Sequence, residues 1–517
     1  MCHLSRASNR EGRIAGCPFP SIMELATIWS TKRKGCLVRQ YSTATLLVQG
    51  GMLVSPEGTL EADILAQGQQ IRAVGRGLPA LHDTRVVNAE GCYVLPGVID
   101  SHTHISLDTG IFKTVDDWFV GTRAAACGGV TTVIDFATQS PGQTLPEAVE
   151  ERLVQARDAV IDYGLHVMIT DLPPDRAREI GNLVGVGTPS VKLYTTYRPN
   201  YYVADATIVR LMETCAEYGV LPLVHCENDD LVSARIESLK AAGSTTWRDH
   251  GRSRPALAEQ EAVNRVLFLA DAVGCPVHIC HCSTGRSVAL VAEAAARGHP
   301  VTCETCPQYL LLDRDLYDGP EPWRYILQPP LRDVDETELL WALLKTDFID
   351  LIATDHCDYS KAQKVNRDDF TETPGGLPGV ETLLPLMMTY GVAEEQLSLP
   401  QIVNVLCETP ARVWGLWPSK GTLQPGADAD IVVYDPVGEN QIRAEELHHA
   451  AGYTPYEGIS VEGVVKATIS RGQIIYRDGH FTGRRGRGRF VPRELPAKGA
   501  IQRRRESYWP ASAASSL

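Results

Sequence analysis

Short apolar runs separated by turn residues fill residues 45–94. Runs such as 71–74 interrupt apolar positions with polar ones, and Gly or Pro-Glu turns divide the runs. This alternation is typical of antiparallel strands. The same pattern of short apolar runs returns late in the chain, at 430–434 and 464–469. We therefore predict one small β-sandwich built from both chain ends, with parts at 45–94 and 411–482.

The long middle of the chain alternates two other patterns. Short Val-, Ile- and Leu-rich runs predict buried strands, and apolar residues three or four apart predict helices between them. The predicted strands are 95–104, 131–136, 165–170, 190–194, 221–226, 276–281, 300–304 and 350–355. The predicted helices are 116–127, 144–160, 205–218, 258–273, 284–297 and 336–346. Eight alternating units over 95–410 predict an α/β protein with a (β/α)8 TIM barrel, whose active site lies at the carboxyl ends of the strands.

The composition of the chain limits the classes of function that the protein can have. The chain has 517 residues, a net charge of −14 and 44% hydrophobic residues, which suits a soluble enzyme and counts against nucleic-acid binding. It contains no apolar run long enough to span a membrane. Its fourteen cysteines have no disulfide-framework spacing and no signal-peptide core precedes them. We therefore expect reduced thiols, a cytoplasmic location and a small-molecule substrate, with no nucleic-acid or membrane partner.

Both ends of the chain differ from the rest. Residues 1–44 carry seven Lys or Arg residues against two acids and show no periodicity. They fit an organellar transit peptide or an extension from an upstream translation start, and we expect a disordered N-terminal extension. Residues 483–517 form a basic C-terminal tail. Such a tail can contact nucleic acid, but the chain as a whole is acidic, which counts against that role.

Candidate metal ligands end several predicted strands. His102 and His104 are two apart on the first strand, so both imidazoles point the same way. Such a pair can be half of a metal site or two histidines of a polar loop. Further candidates end other strands: His225 the fifth, His281 the sixth and Asp355 the eighth. Buried polar groups on separate strands need a shared partner, and a divalent metal meets that need.

Lys192 lies in the fourth predicted strand. It is harder to explain as a metal ligand than the histidines and Asp355. A protonated ammonium repels a cation and cannot bind it. Lys192 is therefore either an ordinary surface or salt-bridged lysine, or CO₂ has added to its amine to give an anionic carbamate that bridges two metals.

Several segments resemble one family of enzymes. They are His102-Thr103-His104, Thr114-Val115-Asp116-Asp117, Gly121-Thr122-Arg123-Ala124-Ala125-Ala126, Gly128-Gly129-Val130-Thr131-Thr132, Ile134-Asp135-Phe136, Glu304-Thr305-Cys306-Pro307-Gln308-Tyr309-Leu310, Pro329-Pro330-Leu331-Arg332 and Asp355-His356-Cys357. Across about 45–490 the chain resembles the dihydropyrimidinases and hydantoinases, which are cyclic amidohydrolases. The resemblance implies the barrel with its β-sandwich and two Zn²⁺ ions per subunit, bridged by carboxylated Lys192 (N6-carboxylysine) and a hydroxide.

The resemblance also assigns roles to residues. One metal would be bound by His102, His104, Lys192 and Asp355, and the other by Lys192, His225 and His281. Tyr197 would hydrogen-bond the developing oxyanion, and Asp355 would pass a proton to the leaving nitrogen. The implied reaction opens a cyclic ureide or imide, either a dihydropyrimidine or a 5-substituted hydantoin, to an N-carbamoyl amino acid. A homotetramer is implied as well, with the tail 483–517 near subunit contacts.

Two positions that face the substrate depart from the family pattern. Gln328 stands where the family has a small Ser or Cys, and Pro374-Gly375-Gly376-Leu377-Pro378-Gly379 stands where it has Asn-Gly-Gly-Pro-Gly. Gln328, Gly376 and Tyr197 are the expected substrate contacts. The loops 105–117 and 195–205 are expected to form the pocket mouth. Their apolar residues, which are Ile111, Phe112, Trp118 and Tyr201, indicate a hydrophobic substituent.

Three neighbouring functions are disfavoured. Dihydroorotases follow their two histidines with an arginine and allantoinases with Asn-Glu-Pro, whereas this chain has Ile105-Ser106-Leu107-Asp108. Non-catalytic scaffold relatives have lost metal ligands, but all six positions are filled here. A catalytic cyclic amidase is the prediction that remains.

Overall fold

The computed structural model describes residues 45–496 apart from residues 81, 366–367 and 395. It consists of a barrel of eight parallel strands and a separate nine-stranded sheet contributed by both ends of the described chain. The predicted fold class is confirmed. The predicted N-terminal extension and residues 497–517 of the tail lie outside the described residues.

The nine-stranded sheet gathers strands from opposite ends of the described chain. Its first strands are β1 (Thr45–Ser55), β2 (Gly58–Gln67), β3 (Gln70–Gly75), β4 (Arg85–Asn88) and β5 (Tyr93–Pro96). β5 pairs with a late strand, Ile431–Gln441, in antiparallel register. The sheet curls back on itself, since Ile71 N donates to Ala427 O and Ala429 N donates to Gln69 O. Its concave face therefore encloses a hydrophobic cluster that contains Ile64, Ile431 and Ile469.

The barrel strands follow in chain order. They are β6 (Val98–Thr103), β7 (Val130–Thr138), β8 (Asp162–Met168), β9 (Ser190–Tyr194), β10 (Leu221–His225), β11 (Val277–Ile279), β12 (Val301–Thr305) and β13 (Leu351–Ile352). Each strand pairs in parallel with its sequence neighbour. The barrel closes between its first and last strands, where His104 N donates to His356 O at 2.7 Å and Thr354 N donates to Asp100 Oδ1 at 3.1 Å.

The strands β14 (Ile431–Gln441), β15 (Ser460–Ser470), β16 (Gln473–Arg477) and β17 (His480–Phe481) complete the nine-stranded sheet. All eight predicted barrel strands overlap observed ones. The last is the shortest, because the backbone leaves the sheet after Ile352 and Asp355 has a positive φ of 53°.

Helices cover the outside of the barrel and link its strands. They are α1 (Trp118–Cys127), α2 (Leu145–Gln155), α3 (Glu179–Val186), α4 (Asp205–Tyr218), α5 (Asp229–Ala241), α6 (His250–Ser253), α7 (Ala256–Val273), α8 (Gly285–Ala296), α9 (Pro307–Leu311), α10 (Val334–Lys345), α11 (Lys361–Lys364), α12 (Leu383–Leu386), α13 (Leu399–Val403) and α14 (Thr409–Val413). Two π-helical stretches occupy Met387–Ala393 and Asn404–Glu408.

The helix predictions were correct where the apolar stripe is strong. The predicted helix 205–218 has the observed bounds of α4, which buries Ile208, Leu211, Met212 and Cys215 at helical spacing. α5 was missed, because it buries only Asp229, Val232 and Leu239 and shows a weak apolar stripe. Within the described part of the chain, no helix has the length and apolar character needed to cross a membrane.

Candidate metal centre and substrate cavity

The six predicted metal ligands gather at the carboxyl end of the barrel. His102, Lys192 and His225 belong to strands β6, β9 and β10, while His104, His281 and Asp355 lie just beyond the ends of β6, β11 and β13. All six line one cavity of about 540 Å³. His281 and Asp355 have positive φ values of 29° and 53°. This conformation is uncommon for residues other than glycine and is found at functional sites.

The first group of ligand atoms joins His102, His104 and Asp355. Asp355 Oδ1 lies 3.1 Å from His104 Nε2 and 3.4 Å from His102 Nε2. The three atoms are therefore close enough to bind one ion. The side chains of His102 and His104 are buried.

A second group lies beside the first. His225 Nδ1 and His281 Nε2 are 3.1 Å apart, and the ring centroids of His281 and His102 are 5.4 Å apart. Two imidazole nitrogens that point at one spot can share a proton or bind one cation. The short distance between the two groups makes the site suitable for a pair of ions.

Two buried carboxylates set the orientation of two of these histidines. Glu304 Oε1 lies 2.5 Å from His102 Nδ1, and Glu227 Oε2 lies 2.8 Å from His225 Nε2. In each case the hydrogen bond holds a proton on the nitrogen that faces the carboxylate. The lone pair then lies on the nitrogen that faces the centre, as is usual for histidines that bind metals.

Lys192 is fully buried in the wall of the same cavity. Its Nζ lies 2.9 Å from Cys280 Sγ and 5.5 Å from the centroid of the Phe136 ring. Among the described residues it forms no ion pair with a carboxylate. A buried ammonium without a counter-ion is costly, so the ordinary salt-bridged lysine of the sequence analysis does not describe this side chain.

An unsatisfied polar atom tests whether this donor set fits a metal. His102 Nε2, which lies 3.4 Å from Asp355 Oδ1, is buried and forms no hydrogen bond. Burial lowers the pKa of His102 and of His281, with Lys192 as a further contributor to both. Neutral imidazoles together with a carboxylate are the donors that Zn²⁺ and similar divalent cations prefer. The residues therefore fit the metal centre that the fold implies.

Asp355 remains ionised in this environment. Burial alone would raise the pKa of its carboxyl group, but His102 and His104 hold that pKa below its usual value. Asp355 is therefore an anion at neutral pH.

A second buried cluster anchors the residue next to Asp355. His356 Nδ1 accepts a hydrogen bond from Gly379 N at 3.1 Å, so the ring proton is on Nε2. This Nε2 lies 3.5 Å from Asp116 Oδ2 and 3.7 Å from Asp358 Oδ1. Because Nε2 carries the proton, His356 cannot bind a metal through that atom, and the cluster supports the backbone beside Asp355.

Tyr197 stands at the edge of the cavity with a φ of 74°. Its ring centroid lies 5.2 Å from that of His225, and the Arg254 guanidinium carbon lies 5.1 Å from the Tyr197 centroid. Burial raises the pKa of Tyr197, although Arg254 opposes this. The phenol therefore stays protonated and is a hydrogen-bond donor at neutral pH.

One residue expected at the cavity mouth lies elsewhere, and the other expected residues line the cavity. Ile111, Phe112 and Tyr201 line the cavity, as do Gln328 and Gly376. Trp118 does not line it. Its ring is buried and packs at 5.1 Å against Tyr163, because the first turn of α1 faces the barrel wall rather than the mouth.

Sequence reasoning did not assign roles to Glu227, Glu304 or Arg254. Glu227 accepts hydrogen bonds from both His225 and Arg254, and burial of Arg254 places a cation against Tyr197. Glu304 lies in a quoted family motif and Glu227 follows His225 by two residues. Period-two alternation was therefore a usable signal for Glu227.

Comparison with known proteins agrees with this geometry. The model described as "Amidohydrolase family" matches residues 93–475. The D-phenylhydantoinase of Escherichia coli O1:K1 is 41% identical over 454 residues, which cover 87% of this chain and 98% of that protein. A dihydropyrimidinase structure from Brevibacillus agri NCHU1002 has a TM-score of 0.85 at 35% identity, covering 88% of this chain and 99% of that one. An L-hydantoinase (dihydropyrimidinase) structure from Arthrobacter aurescens has a TM-score of 0.81 at 31% identity, covering 87% and 99%.

Proposed function

The chain belongs to the amidohydrolase family and, within it, to the hydantoinases and dihydropyrimidinases, and from that premise we propose that it opens the ring of a 5-substituted hydantoin or a dihydropyrimidine. It is a hydrolase that acts on a carbon–nitrogen bond of a cyclic amide, and the product is an N-carbamoyl amino acid. The observation that carries the proposal is the pair of ligand groups at the barrel mouth, His102, His104 and Asp355 beside His225 and His281.

Two Zn²⁺ ions are the proposed cofactors. His102, His104 and Asp355 would hold one, His225 and His281 the other, and carboxylated Lys192 would bridge them. Bound in this way, the ions would supply a nucleophile from water at neutral pH and polarise the substrate carbonyl. The buried amine of Lys192, which has no carboxylate counter-ion among the described residues, supports its modification by CO₂.

The side chains of the cavity perform the remaining work. Tyr197 donates its phenolic proton in a hydrogen bond to the oxygen that becomes negative as the carbonyl is attacked. Asp355 carries a proton from the attacking water to the ring nitrogen, which becomes the NH₂ of the N-carbamoyl group when its bond to the attacked carbonyl carbon breaks. Gln328 and Gly376 line the same cavity and are the proposed contacts of the ring. Ile111, Phe112 and Tyr201 surround the ring substituent, and their apolar surfaces favour a hydrophobic group.

The first test is a substrate panel with metal-loaded protein. We expect ring opening of dihydrouracil or of 5-substituted hydantoins, measured by loss of ring absorbance and detection of the N-carbamoyl product. About two zinc ions per subunit are expected by elemental analysis. Lys192→Ala should lose both turnover and bridged metal, whereas Lys345→Ala on the outer surface of α10 should change neither.

Two results would contradict the proposal. One is a metal-loaded enzyme that opens none of these rings. The other is a Lys192→Ala variant with full activity and full metal content, which would remove the carbamate from the scheme.

The oligomeric state and the cellular compartment of the protein are two further proposals. We propose a homotetramer in the cytoplasm, tested by light scattering after size exclusion and by cell fractionation. All eleven described cysteines are buried free thiols, which supports a reducing compartment. Part of the tail, Arg485–Arg489, packs against its own barrel, where Tyr163 N donates to Arg489 O at 2.9 Å.

A further inference from the structure

The wall of the cavity carries a side-chain amide that the rest of the protein does not use. Gln328 is half-buried and lines the same cavity as Asp355. Its carboxamide forms no hydrogen bond to any residue that the structure describes. An amide held partly out of water without a partner is available to a ligand.

The carboxamide of Gln328 fills the space that a side chain at Gly375 would occupy, and we call this space the seat of the amide. A Cβ atom built on Gly375 would lie 1.7 Å from Gln328 Oε1 and 2.4 Å from Gln328 Nε2. Only glycine leaves the space that the carboxamide fills. The two positions therefore function as a pair, with the amide in the space that a side chain at residue 375 would fill.

Backbone contacts fix this seat relative to Asp355. Gly376 N donates to Ile326 O at 3.0 Å, and Cys357 N donates to Leu377 O at 2.9 Å. Gly376 has a φ of 154°, and a Cβ there would lie 2.5 Å from Cys357 O. The amide is thus positioned by chain segments that flank the metal-binding carboxylate on one side and Gln328 on the other.

The chemistry of a carboxamide defines what it can recognise. It presents a donor and an acceptor side by side in one plane, as when glutamine pairs with the edge of adenine through two hydrogen bonds. The scissile C4–N3 amide of the substrate must face the metal ligands. The N1–C2 edge lies away from the scissile bond and suits a carboxamide, because in a ureide it offers an N–H next to a carbonyl. In an imide the carbonyl remains, but a CH₂ replaces the N–H.

We infer that Gln328, seated on Gly375, selects cyclic ureides over cyclic imides by pairing with the N1–H and the C2 carbonyl of the ring. The inference rests on the proposed function and specifies its substrate class. An imide leaves the amide oxygen of Gln328 without a donor, and sites built for a hydrogen bond discriminate strongly against analogues that lack it.

The test compares two compounds that differ at one ring atom. These are 5-phenylhydantoin and 2-phenylsuccinimide, in which CH₂ replaces N1–H. The readout is the ratio of their kcat/KM values, so that differences in intrinsic reactivity cancel between enzyme variants. In Gln328→Ala the ratio should fall about 10-fold or more from the wild-type value, the loss expected for one hydrogen bond to a partly buried group. Gln328→Glu keeps the shape and the acceptor for N1–H but removes the donor to the C2 carbonyl, which both compounds have. It should therefore lower kcat/KM for both compounds without lowering their ratio.

Gly375→Ala tests the seat independently. Its methyl group displaces the amide, so the ratio should fall as in Gln328→Ala. The double variant should be no worse than Gln328→Ala alone, because two changes that break one interaction are not additive. Gln67→Ala and Gly185→Ala are matched controls at exposed positions outside the cavity. Thermal unfolding establishes that each variant is folded.

Each outcome separates the inference from the function on which it rests. If the wild type opens both compounds and Gln328→Ala leaves their ratio unchanged, the inference is overturned and the proposed function stands. If the metal-loaded wild type opens neither compound nor dihydrouracil, the proposed function fails and the inference falls with it. A lowered ratio in both Gln328→Ala and Gly375→Ala supports the pair.

Discussion

Individual carboxylates decide how the histidines of this site can act. An imidazole has two nitrogens, and its use as a ligand depends on which one keeps the proton. Glu304 accepts from His102 Nδ1 and Glu227 accepts from His225 Nε2, so the two rings present opposite nitrogens to the centre. Arg254 in turn pairs with Glu227 and packs over Tyr197, which connects the oxyanion donor to one ligand group.

Glu304→Gln should weaken metal binding without unfolding the protein. Glutamine has the same shape and can still accept from His102 Nδ1, but it lacks the negative charge that increases the basicity of the ring. Loss of such a partner typically weakens metal affinity about 10- to 100-fold. The measurement is metal retention against a graded series of chelator concentrations.

The matched control for this variant is Glu150→Gln, an exposed position on α2. It should retain metal like the wild type. A Glu304→Gln variant whose metal affinity equals that of the control would show that Glu304 only fills space.

At the scale of elements, the candidate ligands lie at the ends of strands, and helices that pack on the barrel support those strands. α2 begins with a capping box in which Thr144 Oγ1 accepts from Glu147 N and Glu147 accepts from Thr144 N. The helix buries Leu145, Ala148 and Val149 against the barrel. Its start is therefore fixed by local sequence as well as by packing.

Thr144→Ala should lower the free energy of unfolding by about 1 kcal/mol, because it leaves helix-end N–H groups without an acceptor. Activity should not change, since Thr144 lies outside the cavity residues. Chemical denaturation measures the first effect and steady-state kinetics the second. Thr144→Ser keeps the cap and should match the wild type; equal loss in both variants would mean that the threonine methyl group, not the cap, is responsible.

Across the whole molecule, one buried lysine joins the barrel to the nine-stranded sheet. Lys420 Nζ lies 2.9 Å from Asp162 Oδ2 at the start of β8 and 2.6 Å from Asp430 Oδ2 just before β14. Arg471 Nε lies 3.0 Å from the other oxygen of Asp162. The cluster is buried, so each charge depends on the others for compensation.

Lys420→Met should destabilise the protein by about 3–5 kcal/mol at neutral pH, because it leaves buried carboxylates without their cation. Burial alone would raise the pKa of Asp162, but Lys420 and Arg471 hold that pKa below its usual value. A carboxyl group with a lowered pKa stabilises the fold above its unfolded pKa of about 3.9, and that contribution is lost as the pH falls.

The deficit of Lys420→Met relative to the wild type should therefore persist from pH 7 down to about pH 4 and shrink as the pH falls further, when the carboxyl groups of the folded wild type take up protons. Thermal unfolding midpoints across this range measure it, with Lys345→Met as the surface control. A deficit that is constant with pH would mean that Lys420 acts through packing of its aliphatic chain alone.

The sequence by itself determined the barrel and the place of its chemistry. Strand alternation and helical periodicity are local properties, and a histidine or aspartate that ends a buried strand must lie at the barrel mouth whatever the details of packing. Weakly amphipathic α5 escaped this reasoning because its apolar stripe is too thin to distinguish from a loop. The family motifs added the identities of the ligands.

Only the tertiary structure decided how the residues are used. The proton positions on His102 and His225 depend on Glu304 and Glu227, and the inward packing of Trp118 depends on the angle of α1. The amide of Gln328 meets Gly375 only because two distant segments run side by side. These contacts join residues far apart in the chain, and no periodic pattern encodes a distance across the fold.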